Sequence, residues 1–244
     1  MTWAGTLLAP APGGNGPAGP RRAEGSGVAE KRQDALERAW SDVVDTARRS
    51  VADGLVVGTS GNVSARVGDL VAVTPTGVPY DRLRPGDLVA VDLDGRQVRG
   101  ALRPTSELPL HLAVYRETGA AAIVHTHAPH ATAVSLLTDE LPAVHYMTAA
   151  LGGPVRVARY ALYGTAELAE AALAALRDRT GCLLANHGTL VHAATLERAY
   201  EHTAQLEWMS RVWLLASAAG TPRTLPPDAL ARAARALAGY GRPD

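Results

Sequence analysis

The chain has 244 residues, 47% of them hydrophobic, and its 24 acidic and 24 basic side chains cancel to a formal net charge of zero. That length can bury one large core, and the balanced charge excludes a basic nucleic-acid stripe or an acidic tail. No apolar run approaches the ~20 residues of a membrane span, and Cys182, the only cysteine, precludes an intrachain disulfide and points to a reducing cytoplasm.

Residues 1–32 are rich in Pro, Gly and Ala without an apolar period and read as a disordered tail ahead of one domain over residues 33–244. Leu7-Leu8-Ala9-Pro10 lacks the charged leader and long apolar core of a signal peptide. From Gln33 to Ala52, residues Ala35, Ala39, Val43, Val44 and Ala47 recur at helical spacing. Gly54-Leu-Val-Val-Gly58 then enters a polar loop, Thr59-Ser60-Gly61-Asn62. Strands are predicted at Leu70–Val73, Leu88–Leu93 and Gln97–Arg99, with Asp94-Gly95 as the hairpin turn between the last two. Ser106 is placed as the cap of a helix from Glu107 to about Glu117. A strand ending in His125-Thr126-His127 follows, then a helix to Leu137 and a strand at Val155–Ala158. Thr165 caps a helix to about Arg179, and Cys182–Asn186 and Leu190–His192 make a strand and its return. Thr195 caps a long helix to about Ala218, and Pro226-Pro227-Asp228 opens the last one. Strands and helices interleave, but the tight hairpin argues against a purely parallel sheet. The expected fold is α/β, a three-layer α/β/α domain with a mixed, largely antiparallel central sheet.

One count constrains the chemistry. Lys31 is the only lysine and lies at the edge of the tail. Schiff-base and pyridoxal mechanisms need a desolvated lysine in the site, so carbonyl chemistry here requires a metal as its electron sink. Glu107, His125, His127 and His187 are competent to hold one. Residues i and i+2 of a strand project from one face, so His125 and His127 can address a single ion. Taken alone, a His-x-His pair is as readily two hydrogen-bonded core histidines. His187, followed by Gly188, shifts the balance toward ligation. Three histidines, with the carboxylate at a labile fourth position, make the catalytic pattern for zinc.

His111 and His130 read as supporting residues, and His192 and His202 as ordinary surface or core residues. Glu107 also gains from a helix N-terminal dipole, which favours a carboxylate. Three loops rich in glycine and hydroxyls, Thr59–Asn62, Thr74–Gly77 and Pro104–Glu107, together suit a phosphate nest built without lysine.

Read in order, Gly-Thr-Ser-Gly-Asn-Val-Ser (58–64), Thr-Pro-Thr-Gly-Val-Pro-Tyr (74–80), Ser-Glu (106–107), His-Thr-His-Ala-Pro-His (125–130), Val-His-Tyr-Met (144–147) and Asn-His-Gly (186–188) carry a resemblance. From about Gln33 to Tyr240 the chain resembles the class II aldolase/adducin family, most closely its L-fuculose-1-phosphate aldolase branch. The resemblance implies zinc, or another divalent ion such as Mn2+ or Co2+, held by His125, His127 and His187. Glu107 is then both resting ligand and catalytic acid/base. It implies a phosphate pocket from Gly61, Asn62, Thr76, Gly77, Thr105 and Ser106, with Thr105 where the branch carries serine. It also implies a homotetramer with shared active sites, in which Tyr146 reaches into a neighbouring subunit's site and Tyr240 is a second such catalytic tyrosine.

The expected substrate is a small sugar phosphate, and neither nucleic acid nor membrane is an expected partner. An L-fuculose-1-phosphate-like ketose 1-phosphate would be cleaved to dihydroxyacetone phosphate and a short aldehyde. The ion polarises the carbonyl and stabilises the enediolate left when C3–C4 breaks, and Glu107 moves the proton. A pentulose-phosphate 4-epimerase is the nearest alternative, but that branch has aspartate at the place of Glu107 and lacks His145-Tyr146-Met147. Sugar-phosphate dehydratases and decarboxylases stay open within the family. An adducin-like interaction module is the rival of another class and needs no metal. A barrel amidohydrolase would need a longer chain, and Gly58-Thr-Ser-Gly61 is not a Gly-x-Ser-x-Gly elbow.

Overall fold

The structure, a computed structural model, describes Met1 and residues 23–239. Its strands are β1 (Asn62–Val67), β2 (Leu70–Val73), β3 (Ala90–Asp92), β4 (Gln97–Arg99), β5 (Ala122–Thr126), β6 (Glu140–Leu141), β7 (Val155–Ala158), β8 (Gly181–Leu184) and β9 (Gly188–Ala193). They form a nine-stranded sheet in the order β4-β3-β2-β1-β5-β9-β8-β7-β6. Every pairing is antiparallel except β7–β8. The helices are α1 (Ala23–Ala52), α2 (Leu108–Glu117), α3 (Pro129–Ser135), α4 (Ala166–Ala175), α5 (Leu196–Ala219) and α6 (Pro227–Gly239). No described helix is long and apolar enough to cross a membrane.

The three layers follow from strands whose two faces are both buried. In β5, Ile123 joins the core containing Leu110 and Val114 of α2 and Leu168 of α4. Its neighbours Ala122 and Val124 join the opposite core with Trp40, Val43 and Ala47 of α1. In β8 and β9, Leu184 and Leu190 take the α2/α4 side, while Leu183 and Val191 pack with Val134 of α3 and Leu206 and Met209 of α5. The expected mixed, largely antiparallel three-layer domain is the observed one. His125, two residues beyond Ile123, therefore faces the side from which α2 begins.

Several boundaries differ from expectation. Helix α1 starts at Ala23, so residues 23–32 are helical rather than tail; residues such as Ala29, Glu30, Lys31 and Arg32 favour helix intrinsically even without an apolar period. The remainder of the predicted tail, residues 2–22, lies outside the described residues. Ser106 does not cap α2. The N-cap is Glu107, whose side chain makes no capping bond, and the Thr105 hydroxyl accepts the Glu107 N–H at 3.2 Å. Strand β1, the two-residue β6 and the 3-10 turn Tyr146–Leu151 were not anticipated.

Two glycines let backbones meet beside the histidines. A Cβ on Gly188 would sit 2.1 Å from the Thr126 carbonyl oxygen. At Gly61, with φ +75°, it would sit 2.7 Å from the His125 carbonyl oxygen. Gly188→Ala is expected to lower stability by about 1–3 kcal/mol, the usual cost of overpacking, seen as a lower urea midpoint. Gly86→Ala, with open space around its Cβ position, is the matched control. Equal midpoints for the two variants would show that β9 can move away from β5 without cost.

Candidate active site

Register brings the four candidate ligands together. Strand β5 pairs with β9 so that Thr126 faces Thr189, setting His125 and His127 beside the turn that carries His187. In that turn Asn186 occupies the left-handed region at φ +56°, which asparagine visits more readily than other side-chain-bearing residues. The His187 N–H bonds the Leu184 carbonyl at 3.1 Å. The three imidazoles stand edge to face with centroids 4.8–5.0 Å apart. Glu107, at the start of α2, places Oε2 2.9 Å from His125 Nε2 and Oε1 3.5 Å from His187 Nε2. One ligand atom from each of the four residues lies within 4.8 Å of all the others.

The donor set fits a divalent cation. His125 donates from Nδ1 to the Thr189 carbonyl at 2.7 Å, which turns Nε2 into the cluster as in ligating histidines generally. His127 Nε2 lies 3.1 Å from His125 Nε2, and Glu107 Oε1 is buried without a hydrogen-bond partner. Nitrogen and carboxylate atoms converging on one point form the ligand set that zinc and similar ions take.

Protonation follows the same geometry. Burial works to raise Glu107, but the charge and hydrogen bond of His125, the charge of His187 and the Asn62 hydrogen bond hold its carboxyl well below the usual carboxylate range. Burial works against charge on His125, yet attraction to Glu107 and bonds to Glu107 and the Thr189 carbonyl raise it. His127 and His187 are lowered to about 3 and about 4, by burial first and then by the His125 charge.

The other predicted residues divide. Gly61, Asn62, Thr76, Gly77, Thr105 and Ser106 line one cleft of about 340 Å³ together with Glu107, His127 and His187, a volume suited to a small ligand. Thr76 and Thr105 are tied together by the Thr76 N–H to Arg103 carbonyl and Thr105 N–H to Thr74 carbonyl bonds, at 3.0 and 3.1 Å. Asn62 lines that cleft while its side chain bonds Glu107 at 2.9 Å and His111 at 2.5 Å. His130 is apart from the cluster, bound to Glu207 of α5 at 2.5 Å. Tyr146 is half exposed and lines a different cavity, against α5 and α6, rather than this cleft. Tyr240 lies outside the described residues. Tyr160 and Tyr163 also line the cleft and were not singled out. Two tyrosines flanking Ala161-Leu162 and stopping at Gly164 were the available signal.

The profile of the family described as Class II Aldolase and Adducin N-terminal domain matches residues 41–214. The 5-deoxy-D-ribulose 1-phosphate aldolase of Bacillus thuringiensis serovar kurstaki is 37% identical over 210 residues, covering 85% of this chain and 99% of that protein. The L-fuculose phosphate aldolase of Escherichia coli K12 is 40% identical over 182 residues, 74% and 84% of the two chains. A solved L-fuculose 1-phosphate aldolase superposes with a TM-score of 0.80 at 35% identity, covering 82% of this chain and 96% of that one. The chain belongs to the class II aldolase and adducin family. Within that family it is a class II aldehyde-lyase.

A neutral buried histidine makes stability depend on acid. His111 is fully buried, and burial followed by the His125 charge lowers it to about 3. The unfolded chain takes up this proton near pH 6.5 and the folded chain does not, so stability falls as pH drops from about 6.5 toward 3. His127 and His187 act in the same direction, whereas the raised His125 opposes them, its contribution being present in acid and lost as pH rises. The urea midpoint of metal-free protein should fall between pH 7.5 and 5, and His111→Gln should remove about 2 kcal/mol of that difference. An unchanged pH dependence in this variant would mean His111 is protonated in the fold.

Proposed function

We propose that the protein cleaves a ketose 1-phosphate, L-fuculose-1-phosphate-like, to dihydroxyacetone phosphate and a short aldehyde. The carrying observation is the Glu107, His125, His127 and His187 cluster on the wall of a cleft lined by hydroxyls and glycines without a lysine. Lys31 is exposed on α1 and does not line this cleft, which supports a mechanism without a Schiff base. The four residues would hold zinc, or Mn2+ or Co2+, and such an ion supplies Lewis-acid polarisation of the substrate carbonyl. Names of relatives support the substrate class, since both a 5-deoxyribulose-phosphate and fuculose-phosphate aldolases match this chain.

The residues divide the remaining work. The backbone N–H groups of Gly61, Gly77 and Ser106 and the hydroxyls of Thr76, Thr105 and Ser106 receive the phosphate. Tyr160 and Tyr163 wall the cleft and exclude water from the reacting end of the substrate. Glu107, held ionised by its neighbours, takes the C3 proton in condensation; in cleavage it returns one proton to C3, balanced by the proton that the substrate's C4 hydroxyl loses as the aldehyde forms. Tyr146, and Tyr240 with it, would serve the site of an adjacent subunit in a homotetramer. The exposure of Tyr146 and its place outside the lining of its own chain's cleft support that reading.

Purified protein assayed against fuculose, rhamnulose, 5-deoxyribulose and methylthioribulose 1-phosphates should release dihydroxyacetone phosphate from at least one. A strong chelator should abolish the activity, added zinc restore it, and borohydride leave it intact. Glu107→Gln should keep the metal and lose about 10²- to 10⁴-fold of solvent deuterium exchange into dihydroxyacetone phosphate. Chelator-resistant turnover, or near-normal exchange in the glutamine variant, would overturn the mechanism.

The shared site is tested by complementation. Inactive Glu107→Gln subunits exchanged with inactive Tyr146→Phe subunits should regain activity, because some mixed interfaces join two intact residues. A mixture that stays inactive despite proven exchange would place both residues in one chain's site.

A further inference from the structure

Behind Glu107 a single file of buried polar side chains runs away from the metal cluster into the α2 side of the sheet. Asn62 Nδ2 lies 2.9 Å from Glu107 Oε2, and Asn62 Oδ1 lies 2.5 Å from His111 Nε2. His111 Nδ1 is 2.7 Å from Ser64 Oγ, which is 2.8 Å from the Tyr115 hydroxyl. Strand β1 presents Asn62 and Ser64 at i and i+2, while α2 and its cap present Glu107, His111 and Tyr115 at i, i+4 and i+8. One strand face and one helix face therefore interlock through polar atoms. Asn62 is 3% exposed and His111, Ser64 and Tyr115 no more than 1%. At that depth each group needs its partner.

The direction of the bonds is set by the end that cannot donate. An ionised carboxylate only accepts, so the amide nitrogen of Asn62 faces Glu107 and its oxygen faces His111. Two acceptors would repel there, so His111 carries its proton on Nε2. The ring is fully buried and both its nitrogens meet neutral oxygens, with no carboxylate among its partners, so it is neutral, which leaves Nδ1 a bare acceptor. The Ser64 hydroxyl donates to it, and the Ser64 oxygen accepts from Tyr115, whose own proton burial retains.

We propose that Tyr115, Ser64, His111 and Asn62 form a one-way hydrogen-bond relay that holds the Asn62 amide with its donor end on Glu107 and so aims the carboxylate at the substrate carbon. This rests on Glu107 being the proton-transfer group. Asn62 and His111 are positioning residues that act through it. Without the His111 Nε2–H, the buried Asn62 oxygen loses its only donor. The amide is then free to turn toward another donor and leave Glu107 without its hydrogen bond.

The test has an arm independent of turnover. In the 15N-labelled full chain with zinc added, the His111 ring should be the neutral Nε2–H tautomer from about pH 6 to 8. An Nδ1–H tautomer or an imidazolium would overturn the relay. In the second arm, His111→Phe keeps the ring volume, and His111→Gln returns an N–H near the Nε2 position. His111→Phe should lower kcat for deuterium exchange into dihydroxyacetone phosphate about 10²-fold, with bound zinc unchanged and KM within about threefold, and His111→Gln should recover to within about tenfold of the unmodified enzyme. Full exchange in the phenylalanine variant, or an equal loss in both, refutes the proposal. Should His111→Phe fail to fold, Ser64→Ala removes a single hydroxyl. It should lower kcat at unchanged KM and let the ring sample Nδ1–H; a ring locked as Nε2–H with full exchange refutes it as well. Absence of exchange by the unmodified enzyme counts against the aldolase reading alone, and the tautomer still decides the relay.

Discussion

Four candidate ligand atoms that repel one another unless a positive charge sits among them are held within 4.8 Å, and much of the fold is arranged to keep them there. The protonation pattern expresses this directly. His125 is raised while His127 and His187 are lowered, so the cluster favours one positive charge and resists a second. A proton beside Glu107 occupies the place that a divalent ion fills more effectively, because the ion answers all four ligand atoms at once. Such an arrangement survives only on rigid supports. Two ligands extend from the end of a central strand, one sits in a three-residue hairpin turn, and the fourth caps a helix on the opposite layer.

Close backbone approach supplies that rigidity. Gly61 and Gly188 bring β1 and β9 against β5 where a Cβ would collide with a carbonyl oxygen. Gly164, at φ +75°, does the same against the Ser106 carbonyl, where a Cβ would lie 2.7 Å away. The segment bearing Tyr160 and Tyr163 is thereby anchored to the loop that begins α2. Cleft wall, hydroxyl-rich loop and Glu107 are linked through one short stretch of chain, Thr105–Glu107. Side chains of the wall can vary while that anchor holds the register of the reactive end.

Much of this was legible in the residues because period and chemistry coincide. His125 and His127 alternate with Thr126 at the end of a strand, so the pair could be placed on one side without coordinates; the structure shows that side to be the α2 face, shared with Ile123. Capping threonines at 165 and 195 announced α4 and α5 and do make the expected bonds, to the N–H groups of Leu168 and Arg198. Strand β1 was missed for a physical reason. Its Asn62 and Ser64 are polar yet buried, so the segment looks like a loop unless their partners are known. Those partners lie 45 to 51 residues away on α2, a distance that local pattern cannot bridge. The Ser106 cap failed for a related reason: Thr105 satisfies the Glu107 N–H, and the carboxylate is turned inward to the histidines.

Strand β5 occupies the middle of the nine-stranded sheet, with β1 and β9 bonded along its two sides. The periphery is different in kind: β4 is exposed along its length and α6 has no fully buried residue. Amide exchange in such a fold is graded, with the periphery opening in partial unfolding events and the central strand opening only with the whole domain. Two of the four candidate ligands, His125 and His127, therefore stand on or just beyond the strand expected to open last. Fraying of the rim leaves the histidines assembled, and their dispersal coincides with global unfolding. The residence time of a bound ion is then a property of the sheet as much as of the four residues that touch it.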